Sequence, residues 1–311
     1  MQDTADGADR DAWLGLTPWR EAGLAEQEFP AALYVVATPL GNAADVTLRA
    51  LWVLRHADCI AAEDTRTTAP LLARFGIHGR LLALHQHNET ERVGPVLERL
   101  RNGERVALVS DAGTPGISDP GAVLVRAARA AGLRVIPVPG ASSVTAALSV
   151  AGVHASDVRF LGFAPARAQA RARHWQSIAA ATDAAVVLFE APHRMAETAR
   201  ALAEALQPQR RVLVARELTK KFETLTETTV AQLPALIGAS APRGEYVLVI
   251  DALAPSDSAA QAPPASIDET TARWLAALAQ ELPASRAAAV ATRVTGLPRA
   301  LLYRSLGRDA D

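Results

Sequence analysis

Small residues, turn formers and acids are densest in one stretch of this chain, Ser110-Asp111-Ala112-Gly113-Thr114-Pro115-Gly116-Ile117-Ser118-Asp119-Pro120-Gly121. Glycines let a backbone come close to a ligand, and Asp111 can accept hydrogen bonds from ribose hydroxyls or an amine. Gly-Lys-Ser/Thr is absent, so this is no triphosphate-binding loop, and no G-x-G-x-x-G opens the helix after it. A nucleotide-like ligand without a triphosphate is the class that remains. On its own, such a loop is more often a plain turn. His85-Gln86-His87-Asn88-Glu89 would put two imidazoles on one face of a strand. Its spacing places no third strong ligand, so a polar loop or substrate-facing edge is the better reading than a metal site. Neither a G-x-S-x-G elbow nor a local Cys/His pair occurs, which disfavours nucleophilic hydrolysis.

The cations are also unevenly chosen. Lys+Arg total 32, yet only Lys220 and Lys221 are lysine, and they are adjacent. Arginine is effectively never deprotonated, whereas lysine can be tuned into a base. Val158 to Thr182 contains no acid but holds Arg159, Arg167, Arg171 and Arg173 with His174 and Trp175. A charge run is usually a solvated face. Arginine beside an aromatic at the start of a second domain also suits phosphate contact and base stacking on RNA.

These residues need elements to position them. Leu33–Ala37, Cys59–Ala62, Arg105–Val109 and Leu133–Val138 are short apolar runs without alternation, each feeding a loop. Asp45 or Thr47 can cap a helix with Leu48, Leu51 and Trp52 on one face. Val93, Val96, Leu97 and Leu100 mark another helix that Gly103 can stop. Asp119-Pro120 reads as an N-cap followed by proline at the first helical position, and Gly132 closes that helix. Strand–loop–helix alternation with fully apolar strands predicts a mainly parallel sheet covered on both faces. A second unit has strands at Ala185–Phe189, Val212–Ala215 and Tyr246–Ile250 and a helix through Met195–Leu206. Beyond an Ala/Pro/Ser-rich stretch come a helix around Trp274–Gln280 and a pair, Ser285–Val294 and Pro298–Leu306, joined at Thr295-Gly296-Leu297. The predicted organisation is a mobile acidic tail (1–30), an N-terminal α/β domain (31–154), a second α/β domain (155–251), a linker (252–267) and a helix-turn-helix-like module (268–311).

Composition sets the outer bounds. Half of the 311 residues are apolar and 21% are charged, enough to bury a core and too apolar for global disorder. The formal net charge of −1 excludes a globally basic nucleic-acid coat but not a local basic patch. One cysteine, Cys59, excludes a disulfide framework and a Cys-cluster metal site. No apolar run approaches the roughly 20 residues of a membrane helix, and early aspartates stand where a signal peptide carries positive charge, so a cytoplasmic protein is expected.

Seven motifs occur in order: Thr38-Pro39-Leu40-Gly41-Asn42, Ala62-Glu63-Asp64-Thr65-Arg66, the stretch 109–121, Pro139-Gly140-Ala141-Ser142, Glu190-Ala191-Pro192-His193-Arg194, Arg216-Glu217-Leu218-Thr219-Lys220 and Gly244-Glu245-Tyr246-Val247. Together they resemble the tetrapyrrole methylase superfamily, and within it the 16S rRNA (cytidine-2′-O)-methyltransferases of the small ribosomal subunit. The resemblance covers residues 33–251 and, weakly, the tail; 63–66 and 110–121 are its specific motifs. Ala191 departs from it, standing where a serine or another small polar residue is expected. The resemblance implies a two-domain α/β fold that holds S-adenosylmethionine between the domains, no metal, and a homodimer. Carried over by position, the cofactor would meet Pro39 and Leu40, Asp111, Ala112 and Gly113 with Ile117 and Ser118, and Ser142 with Ser143. The second domain would add Phe189, Leu218, Glu245 and Tyr246. RNA would meet Arg66, Arg167, Arg171, Arg173, His193 and Arg194.

Methyl transfer from a sulfonium to a ribose oxygen is an in-line displacement in which the protein supplies alignment and electrostatics. The hydroxyl needs a base within hydrogen-bond reach. Lys220 is the preferred candidate, on the expectation that neighbouring arginines lower its pKa. Glu63, Asp64 or Glu217 could orient it or act instead, and Lys220-Lys221 could simply contact phosphates. Two other functions stay open: a tetrapyrrole carbon methyltransferase on the same fold, and a non-catalytic RNA-binding assembly factor.

Overall fold

The computed structural model describes residues 23–24, 26–153, 157–239, 243–253 and 267–306. Its first sheet takes β1 (Leu33–Val36), β2 (Cys59–Ala62), β3 (Leu81–Ala83), β4 (Val106–Val109) and β5 (Val135–Val138) in the order β3-β2-β4-β1-β5. Every neighbouring pair is parallel. The helices are α1 (Leu48–His56), α2 (Thr65–Arg74), α3 (Glu89–Arg101), α4 (Ala122–Ala130) and α5 (Ser143–Ala151). Alternate strand residues serve the two faces. Tyr34, Ile60 and Ala107 pack with Leu51, Leu54 and Leu72 from α1 and α2, whereas Leu33, Cys59 and Leu108 pack with Val96, Leu100 and Leu124 from α3 and α4. Burial on both faces is why these strands are uniformly apolar. Pro137 sits in β5, an edge strand, where a missing N–H costs no ladder bond.

The second sheet takes β6 (Asp157–Phe163), β7 (Ala184–Glu190), β8 (Arg211–Arg216), β9 (Thr224–Thr229) and β10 (Tyr246–Ile250) in the order β6-β7-β10-β8-β9. Only β6 and β7 pair in parallel; the other three pairs are antiparallel. One face is covered by α6 (Ala168–Ala180), α7 (Met195–Ala205) and α8 (Leu233–Gly238), and the other packs on α5. Buried Arg210 clamps this half together. Its guanidinium donates to the carbonyls of Asp251 (2.5 Å), Ile178 (3.1 Å), Ala181 (2.8 Å) and Ala184 (3.0 Å).

Both sheets belong to one compact unit that ends at Ala252, and Leu253 begins a second. That second unit contains α9 (Glu269–Glu281), α10 (Ala284–Thr295) and α11 (Arg299–Leu306), packed through Leu275, Ala288, Ala291 and Leu302. Asp268 caps α9, and Gly296, at φ 74°, ends α10 in the left-handed conformation.

Three strands were not expected: β3, β6 and β9. The Asp119 cap is also corrected. The residue before α4 is Gly121, at φ 122° and without a side-chain cap, and the first turn is capped instead by Glu89 of α3. The tail is corrected at its end, since Leu24 is buried and Phe29 packs against Tyr34 and Trp52 at 4.7 and 4.6 Å. The rest of the expected tail, and most of the expected linker, lie outside the described residues. Among the described residues, no helix is long and apolar enough to cross a membrane.

Candidate active site

All five strands of the first sheet point the same way, so the loops after β1, β2, β4 and β5 share one edge, where ligands collect in open α/β sheets. Backbone bonds lock them together. Thr38 and Gly113 exchange N–H···O bonds of 2.9 and 3.0 Å, and Thr114 Oγ1 donates to Ala141 O at 3.0 Å. Gly113 has φ 79°, and a Cβ there would lie 3.1 Å from Leu40 Cδ2. The second sheet reaches this edge through Gly162 at the β6 bulge, where a Cβ would stand 3.1 Å from Ser118 Oγ.

Between the loops and the second sheet lies a cleft of about 370 Å³. Every residue expected by motif to touch the cofactor lines it except Pro39. Further lining residues that sequence reasoning did not assign are Thr114, Asp119, Phe163, Glu190, Ala191, Pro192 and Val247. Asp119 has the sequence pattern of a helix cap, which hides its place in the cleft, whereas Glu190-Ala191-Pro192 belongs to one of the seven motifs. Phe163 and Phe189 meet edge to face at 5.5 Å, giving the cleft an aromatic wall.

The cleft is acidic. Glu63, Asp111, Asp119, Glu190 and Glu245 line it, with no Lys, Arg or His among the lining residues. Glu63 Oε2 accepts the Asp111 N–H at 3.2 Å, and Asp111 Oδ1 accepts the Asp64 N–H at 3.1 Å. Burial raises the pKa of Glu63 and Asp111 above ordinary carboxylate values. Asp119 is pushed up to about 6, first by burial and then by the charge of Glu63, against a hydrogen bond from Ser110. Crowded, desolvated carboxylates favour the protonated form until a cation arrives.

The three proposed catalytic groups separate. Glu63 lines the cleft. Asp64 does not: it caps α2 and holds Arg66 in a fork, down to 2.6 Å, that pulls its pKa to about 2, too low for a useful base. Lys220 also lies outside the lining, and the expected lowering of its pKa is not found. Burial pulls the ammonium down, but the bond to Glu217 Oε1 (3.0 Å) and the pairing with Glu245 Oε2 (3.2 Å) outweigh it, so the net shift is upward. Lys220 is held charged, by carboxylates rather than arginines. Glu217 Oε1 also accepts the Glu245 N–H at 2.9 Å, so this pair ties the β8–β9 loop to the start of β10. The loop docks on the first sheet as well, since Thr219 Oγ1 accepts the Asn42 N–H at 3.2 Å and Lys220 covers Gly41.

The expected RNA contacts divide too. Arg66, Arg167, Arg173 and His193 are exposed. Arg171 instead binds Glu197 and the Ala166 carbonyl at 2.5 and 2.9 Å, and Arg194 donates to Ala164 O at 2.9 Å, so both brace the protein. Trp175 is 6% exposed in the core of the second sheet and offers no stacking face. Among the described residues, no three or more His, Cys, Asp or Glu converge as a metal site.

The family model described as Tetrapyrrole (Corrin/Porphyrin) Methylases matches residues 32–234, and the RsmI C-terminal HTH domain matches residues 265–306. Relatives named ribosomal RNA small subunit methyltransferase I match 87–88% of the chain. The one from Xylella fastidiosa is 46% identical, covering 88% of this chain and 98% of its own; that from Neisseria meningitidis serogroup B is 45% identical, covering 87% and 91%. Among solved structures, a uroporphyrin-III-C-methyltransferase from Thermus thermophilus covers 71% of this chain and 94% of its own at 21% identity and TM-score 0.52. Cobalt precorrin-4 methyltransferase covers 71% and 95% at 21% identity and TM-score 0.54. At those identities the structural likeness speaks for the fold alone. The chain belongs to the tetrapyrrole methylase family, among the relatives named ribosomal RNA small subunit methyltransferase I.

Proposed function

We propose that this protein transfers a methyl group from S-adenosylmethionine to the 2′-hydroxyl of a cytidine ribose in 16S rRNA of the small ribosomal subunit, acting as a homodimer in the cytoplasm. The observation that carries this reading is the cleft, in which the expected cofactor residues converge and every ionisable lining side chain is an acid or Tyr246. Those residues fit the cofactor, whose ammonium and sulfonium are both cations. The names of the relatives and the matched RsmI C-terminal HTH domain support RNA as substrate. A tetrapyrrole intermediate bears several carboxylates and would find no cation among the lining residues. A single ribose can enter instead while its phosphates stay outside, and Arg66, Arg167 and Arg173 are exposed cations that such phosphates would use.

S-Adenosylmethionine, when bound, supplies an electrophilic methyl group. The chain aligns the hydroxyl with it and receives the hydroxyl proton. Asp119 and Glu63 are the bases available in the cleft, Asp119 the better matched because its pKa of about 6 leaves it ionised yet basic at neutral pH. Lys220 is a positioning residue, holding Glu217 and Glu245 at the rim. The test is transfer from labelled cofactor to small subunits of a strain lacking this protein, with uroporphyrinogen in parallel, followed by mapping of 2′-O-methyl sites. Label in the tetrapyrrole, or in neither substrate, overturns the reading.

A further inference from the structure

The segment that pointed to base stacking, Arg159 to Trp175, has its tryptophan buried. The structure presents another aromatic in the open. Phe222 is 68% exposed, and no described aromatic residue is more so. It stands in the β8–β9 loop with Lys221 Nζ 5.6 Å from its ring centroid. That leaves the ring's other face free and puts a cation where a phosphate could meet it.

The loop that carries Phe222 is rigidly built. Glu217 and Thr219 have φ of 53° and 64°, conformations that cost non-glycine residues energy and persist only when the surroundings hold them. Lys220 N–H donates to Glu217 O (3.0 Å), Glu223 N–H to Lys220 O (3.1 Å), and Thr219 N–H to Glu223 Oε2 (2.5 Å). The Lys220 ion pairs and the Asn42–Thr219 bond fasten the loop to both sheets. Its Leu218 and the Lys220 partner Glu245 both line the cleft, so Phe222 sits four residues along the chain from the cleft wall. An apolar ring held out from a strained, well-fastened loop is pre-organised for a partner.

We infer that Phe222, with Lys221 against one face, is a stacking platform for an unpaired nucleobase of the RNA next to the nucleotide that enters the cleft, with Lys221 meeting a flanking phosphate. The inference rests on the RNA reading above. Bases unstacked from single-stranded RNA are held this way, by an aromatic face and a neighbouring cation.

The experiment uses the full chain, saturating labelled cofactor and small subunits from a strain lacking the protein. Phe222→Ala and Phe222→Leu should raise the KM for subunits by about five- to a hundredfold, the range one base–aromatic stack supports, with kcat within about twofold. Phe222→Trp should keep the wild-type KM. Cofactor affinity and sedimentation should match wild type in all three. Lys221→Ala should make the salt dependence of subunit binding shallower, by roughly 0.7 in the log–log slope, and Phe222→Ala should not. A Phe222→Leu enzyme with wild-type KM would overturn the platform, because bulk without a π face would suffice. A changed sedimentation coefficient would overturn it too, assigning the ring to an interface with a second copy. A second measurement separates this inference from the function. Tryptophan fluorescence of Phe222→Trp, above the wild-type background, should be quenched by an unstructured cytidine-rich RNA whether or not any methyl is transferred. Absence of quenching overturns the platform, whereas quenching without methylation of subunits leaves it standing and removes the proposed reaction.

Discussion

Glu89 carries the start of a helix to which it does not belong. It is 7% exposed at the first turn of α3, and its Oε1 accepts the N–H groups of Gly121 (3.0 Å), Val123 (2.9 Å) and Leu124 (3.1 Å) at the start of α4. The capping position itself cannot provide this. Its φ of 122° favours glycine, and a Cβ there would lie 2.7 Å from Leu108 Cδ2. Removing the carboxylate by Glu89→Ala strands three donors, those of Gly121 and Leu124 buried and that of Val123 partly so, and withdraws a negative charge from a helix N-terminus. One orphaned buried donor costs about 1–3 kcal/mol, and the charge adds about 0.3–1 kcal/mol. Because one oxygen serves all three donors the costs do not add, and we predict a total loss of about 3–5 kcal/mol. Glu89→Gln keeps an acceptor and loses the charge, so it should lose only about 1–2 kcal/mol. Urea unfolding of the three proteins at neutral pH measures both steps. Since α4 begins where the 110–121 loop ends, cofactor affinity by calorimetry should fall in the same order. A Glu89→Ala loss below about 1 kcal/mol, or equal losses for alanine and glutamine, would refute the capping argument.

Three further outcomes follow from the electrostatics. The Asp119 pKa is raised from 3.8 to about 6 in the folded state, so the native protein binds the proton more tightly and this group's contribution to stability declines as pH rises between about 4 and 6. Asp119→Asn should therefore raise the melting temperature of the cofactor-free protein at pH 7 while slowing single-turnover methylation at least about 100-fold, and the wild-type rate should climb with pH through about 6; an unchanged rate in the variant removes Asp119 as base. Lys220→Gln should weaken cofactor binding and lower the melting temperature while leaving the pH profile of the chemical step in place, and loss of that profile's limb would return Lys220 to the chemistry. Arg210→Leu should destabilise the protein by about 3–5 kcal/mol in urea, because four carbonyls lose a charged donor; a loss under about 1 kcal/mol shows that they re-pair.

The first sheet was legible because β1, β2 and β4 are buried on both faces and β5, although half-open at the edge, is written like them as an uninterrupted apolar run. The second sheet was half legible for the same reason: Ala185–Phe189, Val212–Ala215 and Tyr246–Ile250 read as strands. Thr224–Thr229, polar and alternately exposed at an edge, did not. β6 was hidden by its exposed Asp157 and Arg159 and by the bulge at Gly162. The loops after β1, β2, β4 and β5 were legible as neighbours because parallel strands force their carboxyl ends together. What failed depended on distant partners. Asp119-Pro120 has the pattern of a cap, yet the cap arrives from Glu89, thirty-two residues before the Gly121 whose N–H it accepts. Lys220 has arginines nearby in sequence, but its charge is decided by Glu245 on another strand together with Glu217.

The acidity of the cleft bears on what happens after the reaction. Before methyl transfer the bound donor carries a sulfonium charge; afterwards it carries a neutral thioether. A lining with five carboxylates and no cationic side chain distinguishes those two states by electrostatics alone. The spent molecule loses one attraction without any movement of the protein, so exchange of product for fresh donor is favoured by the same residues proposed to bind it. Raising the ionic strength should narrow the difference between the two dissociation constants, and a ratio independent of salt would speak against charge as the discriminator. Turnover is in this sense written into the lining, as a preference for the charged partner over its own residue.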